Sequence, residues 1–273
     1  MGPLFIFALA DCPEEGGTLL PDDDDSTTAI GDDDDDSTSE PPAPTVATPV
    51  GFETVDGLEL RGTFQAAPGV TNGPAVVMVH ELYGDRQDFN LIWEIFQDNG
   101  VSTLAFDLRG HGSSPDAGVE IDELRTTPGL LEADVRAAIG FLADQAVVDP
   151  SKIGVLGLDI GANLAVIGRH ESRDTTLDDW GVATIVAITP DIAGIEALWE
   201  GSAQDLVLSN AQYVAGELAP EDAADATTLH DLTEDPKDLR IVLGTSAHGA
   251  EMVTGSSDAR TGIVAWFATR LNE

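Results

Sequence analysis

The chain has 273 residues, with 50 aspartates and glutamates against 12 lysines and arginines, which gives a formal net charge of −38 at pH 7. A charge of this size and sign repels nucleic acids and anionic lipid surfaces, so neither is expected as a partner. The single cysteine, Cys12, excludes an intrachain disulfide. This composition is typical of an acidic secreted protein or of a protein from a salt-adapted organism.

Residues 1–12 are predicted to be a signal segment. An apolar run, LFIFALAD, precedes Cys12, and the stretch Leu9–Cys12 resembles a bacterial lipobox, in which the cysteine becomes the lipidated N-terminus. The stretch departs from that pattern in having Asp11 before the cysteine and no basic residue at the start. The resemblance implies an extracytoplasmic protein tethered to a membrane through Cys12. The alternative is a chance apolar stretch at a disordered terminus.

Residues 13–49 are predicted to be a disordered, acidic linker. They consist largely of Asp runs, Ser, Thr and Pro, with few side chains that could be buried. Behind a lipid anchor, such a segment would hold a folded domain away from the membrane. The Asp runs lack the alternating ligands and the glycine of an EF-hand loop, so no Ca²⁺ site is predicted there.

Residues 50–273 are predicted to form one α/β domain. Its first part, FETVDGLELRGTF, alternates around the turn dipeptide Asp56-Gly57 and predicts an antiparallel hairpin. The run GPAVVMVHE is continuously apolar, as in a strand buried on both faces of a parallel sheet. A helix (DFNLIWEIFQDNG), a strand (VSTLAFDL) and a second helix (PGLLEADVRAAIGFLADQ) are predicted to follow.

The second half continues the alternation of strands and helices. The strand SKIGVLGL leads into the helix IGANLAVIGRH, and the strands GVATIVAIT, DLVLSN and LRIVLGT follow. The helices IAGIEALWE and PEDAADATTLHDL separate these strands, and DARTGIVAWFATRL is the last helix. The order predicts a mostly parallel sheet with helices on both faces and an antiparallel hairpin on one edge. The segment TPDIAGIEALWEGSAQ is too short for a cap domain.

Polar motifs follow four of the predicted strands, where open α/β sheets bind their ligands. They are HELYG at residues 80–84, DLRGHGSS at 107–114, Asp159 within GLDIG, and AHG at 247–249. In this order, the motifs resemble those of the α/β-hydrolase fold, and HELYG is similar to the corresponding loop of dienelactone hydrolases. The resemblance covers residues 51–271.

The resemblance implies a role for several residues. Asp159 occupies the nucleophile position, where the family has Ser or Cys, and His248 occupies the position of the general base. The backbone N–H groups of Leu82 and Ile160 would form the oxyanion hole, which stabilises charge developing on a carbonyl oxygen.

Other residues near these motifs are given lesser roles. The resemblance implies that Glu81 and Tyr83 line the pocket entrance. His111, in RGHG, is predicted to shape a loop. His170 and His230 fall on predicted helices away from the strand ends, so both are predicted to be surface residues.

The third member of a catalytic triad is expected just after the strand DLVLSN. No carboxylate occurs there before Glu217, which becomes the predicted triad acid if the loop folds back, with Asp191 as the alternative. The chain contains no dinucleotide fingerprint, no Walker motif and no His/Cys cluster with metal-ligand spacing. No cofactor and no metal are therefore predicted.

A carboxylate at the nucleophile position changes the expected chemistry. Attack on an ester would give a mixed anhydride, which makes poor esterase chemistry. Haloalkane dehalogenases and epoxide hydrolases of this fold instead use a carboxylate to displace a group from saturated carbon, and a His-activated water then cleaves the resulting ester. Those enzymes carry a helical cap and usually have Trp where this chain has Ile160.

Three functions are consistent with these residues. The first is a capless hydrolase of esters, acyl groups or small electrophiles, in which Asp159, His248 and Glu217 act on a small-molecule substrate. The second is an inactive pseudohydrolase, a binding or surface module in which Asp159 and His248 form a buried ion pair. The third is a surface lipoprotein whose acidic residues 13–49 are the working part. The oligomeric state is left open.

Overall fold

The computed structural model describes residues 46–116, 118–173 and 180–273. The predicted signal segment with Cys12, and nearly all of the predicted linker, lie outside these ranges. The first strand, β1 (Thr48–Glu53), begins two residues before the predicted domain boundary at residue 50. No helix in the described ranges is long and apolar enough to cross a membrane.

Eight strands form one sheet in the order β1-β2-β4-β3-β5-β6-β7-β8. The pairs β1–β2 and β2–β4 are antiparallel, and the other neighbouring strands are parallel. This confirms the predicted α/β-hydrolase fold class, with its mostly parallel sheet and antiparallel edge hairpin. The remaining strands are β2 (Glu59–Gln65), β3 (Gly73–Val79), β4 (Ser102–Asp107), β5 (Val148–Leu158), β6 (Val182–Ile188), β7 (Ser209–Gly216) and β8 (Glu234–Val242).

Helices cover both faces of the sheet. In β3, Val77 packs with the helices of one face, whereas its neighbour Met78 packs with those of the other, because successive residues of a strand point in opposite directions. Helices α2 to α5 lie on the first face, and α1, α6 and α7 on the second. The helices are α1 (Trp93–Asp98), α2 (Leu130–Ala143), α3 (Ile160–Glu171), α4 (Ile192–Trp199), α5 (Pro220–Leu232), α6 (Ala250–Gly255) and α7 (Ser257–Arg270).

The seventh strand differs from its prediction. The sequence predicts a strand that ends at Asn210, whereas β7 begins at Ser209 and runs to Gly216. Asn210 has a φ of 56° and lies where the pairing with β8 shifts register between Ser209 and Ala211. A residue typical of turns therefore forms a bulge near the start of the strand. This shift moves the end of the strand toward the beginning of α5.

Candidate active site

Asp159 stands in a strained turn between β5 and α3. Its φ of 50° and ψ of −112° are a combination that residues with a side chain rarely adopt. Two flanking glycines allow the close approach of the chain. A Cβ on Gly157 would lie 2.0 Å from the Gly161 carbonyl oxygen, and a Cβ on Gly161 would lie 2.2 Å from the Val79 carbonyl oxygen. The spacing in GLDIG therefore has a steric cause, and the turn presents Asp159 at the carboxyl edge of the sheet.

The imidazole of His248 lies between two carboxylates. Its Nε2 is 3.5 Å from Oδ1 of Asp159, and its Nδ1 is 2.9 Å from Oδ2 of Asp222. His248 is half exposed, whereas the side chain of Asp159 is largely buried. The arrangement has the order of a catalytic triad, with a residue at the nucleophile position, a histidine and an orienting acid.

Asp222 replaces Glu217 as the acid beside His248, which corrects the sequence-based assignment. The Glu217 carboxylate instead accepts a hydrogen bond from the Gly244 backbone N–H at 2.8 Å, in the turn after β8. Because β7 ends only at Gly216, the acid that reaches His248 comes from the first turn of α5. The acidic start of that helix, PEDAAD, was the available signal.

The alternative acid, Asp191, has a structural contact. Its carboxylate caps the N-terminus of α4 by accepting hydrogen bonds from the backbone N–H groups of Ala193 and Gly194. N-cap contacts of this kind satisfy donors that the helix leaves free. Asp191 therefore holds α4, and among the described contacts it has none with His248.

The charges of the site stabilise an ion pair. The contact with the Asp159 carboxylate raises the pKa of His248 to about 9, with burial opposing and Asp222 adding to the rise. Burial alone would raise the pKa of Asp159, but the contact with His248 and the charge of Arg125 bring it below its usual value. At neutral pH, Asp159 is therefore a carboxylate and His248 an imidazolium.

Asp159 has two further partners. Nη2 of Arg125 lies 3.4 Å from its Oδ2, and the backbone N–H of Ile160 helps to lower the pKa of its carboxyl group. Arg125 belongs to the 3-10 helix Ile121–Thr126, called the 121–126 segment below. The Ile160 N–H as an oxyanion-hole donor stays a prediction. Leu82 is buried in the loop after β3, and its N–H as the second donor stays a prediction.

Two hydrogen bonds hold the loop that carries His248. The backbone N–H of Gly249 donates to Oγ1 of Thr189 at 3.0 Å, and that of Ala250 donates to the Glu81 carboxylate at 2.9 Å. Thr189 directly follows β6, and Glu81 follows β3 with one residue between. The loops after β3 and β6 thereby set the position of His248.

The two residues predicted at the pocket entrance differ in their surroundings. Glu81 is partly buried beside the His248 loop, and burial raises its pKa, with the charge of Asp159 adding to the effect. Tyr83 is exposed at the rim, and its hydroxyl donates to the Asp122 carboxylate. Tyr83 therefore connects the loop after β3 to the 121–126 segment.

The remaining histidines have structural contacts. The predicted loop role of His111 agrees with its bonds, since its Nδ1 donates to the Arg109 carbonyl and its Nε2 accepts from the Tyr83 N–H. The surface prediction for His170 is wrong, because His170 is only 3% exposed and its Nδ1 accepts from the Val207 N–H. The side chain of His230 is partly exposed.

A cavity of about 230 Å³ lies next to the turn that carries Asp159, and neither Asp159 nor His248 is among the residues that line it. Arg125 and Thr126 line one wall, Ile160 and Asn163 lie beside them, and the first turn of α4 completes the lining. The volume suits a small molecule. A larger cavity of about 300 Å³ is lined by residues such as Trp180 and by none of the residues around Asp159. The described residues contain no cluster of three or more potential metal ligands.

Comparison with known proteins finds a family match over part of the chain and a shared fold over most of it. Residues 61–184 match the model of the Dienelactone hydrolase family. An esterase from Pyrococcus furiosus superposes with a TM-score of 0.64 at 16% identity, covering 83% of this chain and 91% of the esterase. The chain therefore has the α/β-hydrolase fold, and over residues 61–184 it is similar to the Dienelactone hydrolase family. The dienelactone hydrolase of Anabaena variabilis superposes with a TM-score of 0.61 at 17% identity, covering 84% of this chain and 97% of that enzyme.

Sequence relatives match less than half of the chain. Thiohydrolase aneE of Aspergillus aculeatus is 38% identical over 119 residues, which are 43% of this chain and 35% of that protein. Polyketide transferase claH of Penicillium crustosum is 35% identical over 121 residues, 43% of this chain and 38% of its own length. The chain thus spans little more than a third of these relatives. The family match includes Asp159 and ends before Asp222 and His248.

Proposed function

We propose that this chain is a hydrolase in which Asp159 is the nucleophile, and that it acts on a small electrophile by displacement at saturated carbon. The observation that carries the proposal is the Asp159–His248–Asp222 arrangement at a strained strand-to-helix turn. Compared with a Ser triad, only the nucleophile is exchanged, and the base and the orienting acid remain within reach. Strained turns of this kind concentrate at functional sites.

The first step forms a covalent ester. A lone pair on one oxygen of the Asp159 carboxylate forms a bond to the substrate carbon, and the bond from that carbon to the leaving group breaks. The leaving group departs as an anion with the bonding electron pair. The lowered pKa of Asp159 keeps the carboxylate ionised at neutral pH, as this step requires.

The second step hydrolyses the ester. Water attacks Cγ of Asp159 while His248 takes its proton, and the Ile160 N–H stabilises the developing oxyanion. The bond between Cγ and the alkyl oxygen then breaks, and the alcohol leaves with the proton held by His248. The carboxylic acid that remains passes its own proton to His248, which restores the Asp159 carboxylate and the resting imidazolium. Asp222 orients the imidazole throughout.

Ester formation also makes His248 available as a base. In the resting site, the contact with Asp159 is the largest cause of the high pKa of His248, so the imidazole is already protonated. Once Asp159 is an uncharged ester, that cause is gone and the pKa of His248 falls. The half-exposed ring then releases its proton to solvent and can activate water.

A pseudohydrolase is the second candidate function. The observation that favours it is that both carboxylate oxygens of Asp159 contact a cation. Oδ1 contacts His248, and Oδ2 contacts Arg125. A site in which these contacts are permanent would form a static ion-pair network and would carry no turnover.

Trapping of the covalent ester tests the proposal. The full chain is incubated with short haloalkanes and epoxides, and His248→Gln is expected to accumulate an alkyl adduct on Asp159, detected by intact-protein and peptide mass spectrometry. In a single turnover in H₂¹⁸O, the wild type is expected to place the label in Asp159 and none in the alcohol. Asp222→Asn should slow hydrolysis of the adduct by about 10²- to 10⁴-fold, whereas its control, Glu217→Gln, should not.

The opposite results separate the two candidates. If the wild type turns over none of these substrates and His248→Gln forms no alkyl adduct, Asp159 is not a nucleophile. If Asp159→Ser then hydrolyses p-nitrophenyl acetate, the site is a hydrolase site that lacks its nucleophile, and the pseudohydrolase stands.

A further inference from the structure

We propose that Arg125 binds the anion expelled in the first step, and that the substrates are therefore small alkyl halides in preference to epoxides. This inference rests on the proposed function, since it concerns the leaving group of the same displacement. It assigns a catalytic contact to the 121–126 segment.

The expelled anion needs a cationic partner in this crevice. Three acidic side chains lie at the same carboxyl edge of the sheet: Glu81 at the His248 loop, Asp222 beside His248 and Asp191 in the lining of the cavity. Negative charge that develops near them is costly unless a preorganised donor receives it. The segment between β6 and β7, residues 189–208, contributes mainly the N-terminus of α4 with its acidic cap Asp191 to the lining of this cavity.

Arg125 is the one cationic side chain among the described residues that line the cavity beside Asp159. Its guanidinium is 44% exposed, and its only ion pair in the described ranges is the 3.4 Å contact with Oδ2 of Asp159. That contact is too long for a strong ionic hydrogen bond, so it does not lock the side chain. The backbone beneath is firmly held, because the neighbouring Leu124 is buried in the core.

This position suits an in-line displacement. At 3.4 Å the guanidinium touches Asp159, so a substrate carbon enters only when the exposed Arg125 side chain moves outward. The attacking oxygen then lies on one side of that carbon and the guanidinium on the other. As the bond to the leaving atom lengthens, the charge moves from Asp159 toward Arg125. The ion pair of the resting site is thereby replaced by a guanidinium–halide pair, and no net charge is created in the crevice.

The chemistry of the donor selects the leaving group. A guanidinium offers several N–H donors but does not give up its proton in a protein, so it stabilises an anion without protonating it. A halide needs no proton to leave, whereas the alkoxide from an epoxide does. The proton of the His248 imidazolium lies against Oδ1 of Asp159, whereas Arg125 lies against the other oxygen, Oδ2. Tyr83 carries a hydroxyl at the rim, and its hydrogen bond to Asp122 raises its pKa and makes it a poorer acid.

Adduct formation in the His248→Gln background measures this step alone. We expect that adding Arg125→Gln slows alkylation by 1-chlorobutane by about 100-fold and by 1-iodobutane much less, because iodide is the weaker base and needs less stabilisation. Arg125→Lys should fall between. Arg61→Gln, which removes an exposed arginine paired with Glu59 on β2, is the control and should change neither rate. Bromide should inhibit the wild type and not Arg125→Gln.

The outcomes separate this inference from the proposed function. An adduct that forms equally fast with Arg125→Gln, or slows equally for chloride and iodide, overturns the role of Arg125 and leaves Asp159 as nucleophile. Faster adduct formation with epoxides than with halides overturns the substrate class. Absence of an adduct in every background overturns both proposals.

Discussion

At the scale of single residues, Asp159 determines where the proton of the site resides. A serine at this position would be neutral, whereas the carboxylate places a fixed negative charge against His248. The imidazole consequently keeps its proton at neutral pH, with a pKa raised to about 9. The exchange of one side chain thus changes both the residue at the nucleophile position and the protonation state of His248.

This ion pair predicts how stability depends on pH. The folded pKa of His248 lies above its ordinary value of 6.5, so the stabilisation is fully present below pH 6.5 and is lost as the pH rises through about 9. The melting temperature of the wild type should fall over that interval, and His248→Gln should remove this part of the fall. His230→Gln, on a partly exposed histidine, is the control. If the melting temperatures of the wild type and of His248→Gln change with pH in the same way, the ion pair does not contribute to stability.

At the scale of elements, loops from separate strands hold one another at the carboxyl edge. His80 links the loop after β3 to the end of β4, because its Nδ1 donates to the Glu81 carbonyl at 2.7 Å and its Nε2 accepts from the Leu108 N–H at 3.0 Å. Complete burial lowers the pKa of His80 to about 4 and keeps the ring neutral, as this pair of bonds requires. The site therefore depends on hydrogen bonds between loops as well as on the sheet.

Replacement of His80 tests that dependence. His80→Leu leaves the Leu108 N–H and the Glu81 carbonyl buried without a partner, and each unsatisfied group costs about 1–3 kcal/mol. We expect the free energy of unfolding in urea to fall by about 2 kcal/mol or more, with His230→Leu as the control. A loss below about 0.5 kcal/mol would show that the two loops are held by other contacts.

At the scale of the whole molecule, negative charge dominates. Of the 50 acidic residues, 13 lie between Asp11 and Glu40, which leaves 50 − 13 = 37 against 12 basic residues in the rest of the chain. The buried ion pairs, such as Arg109 with Asp134, use several of those few cations inside the fold. The remaining acidic residues far outnumber the remaining cations, so repulsion between negative charges destabilises the folded domain.

Salt should consequently stabilise the fold. We expect the melting temperature to rise as NaCl is increased from about 0.05 M to about 1 M, since the Debye length shortens from more than about 10 Å to about 3 Å over that range. An uncharged osmolyte such as sucrose, at equal osmolality, serves as the control for solvent effects unrelated to charge. A melting temperature that does not change with NaCl would contradict the importance of self-repulsion.

Local sequence patterns predicted most of the fold. The alternation of apolar strands and amphipathic helices can be read from residues that are close together in the chain. The same holds for the GLDIG turn, because the two glycines that its close backbone contacts require lie within five residues. The main error, the end of β7, came from Asn210, which is typical of turns and here forms a bulge. Helix α6 was missed because it is a single short element after the His248 loop.

The sequence by itself determined the fold class, the elbow at Asp159 and the histidine after the last strand, because each is encoded by residues close together in the chain. Only the tertiary structure decided that Asp222 faces His248, that Arg125 faces Asp159 and that His170 is buried. These contacts join residues separated by 26 and 34 positions, or depend on what packs above a helix. Which side chains meet at the carboxyl edge of the sheet depends on where strands distant in sequence end. A shift of a few residues in the end of β7 decides whether Glu217 or Asp222 lies beside His248.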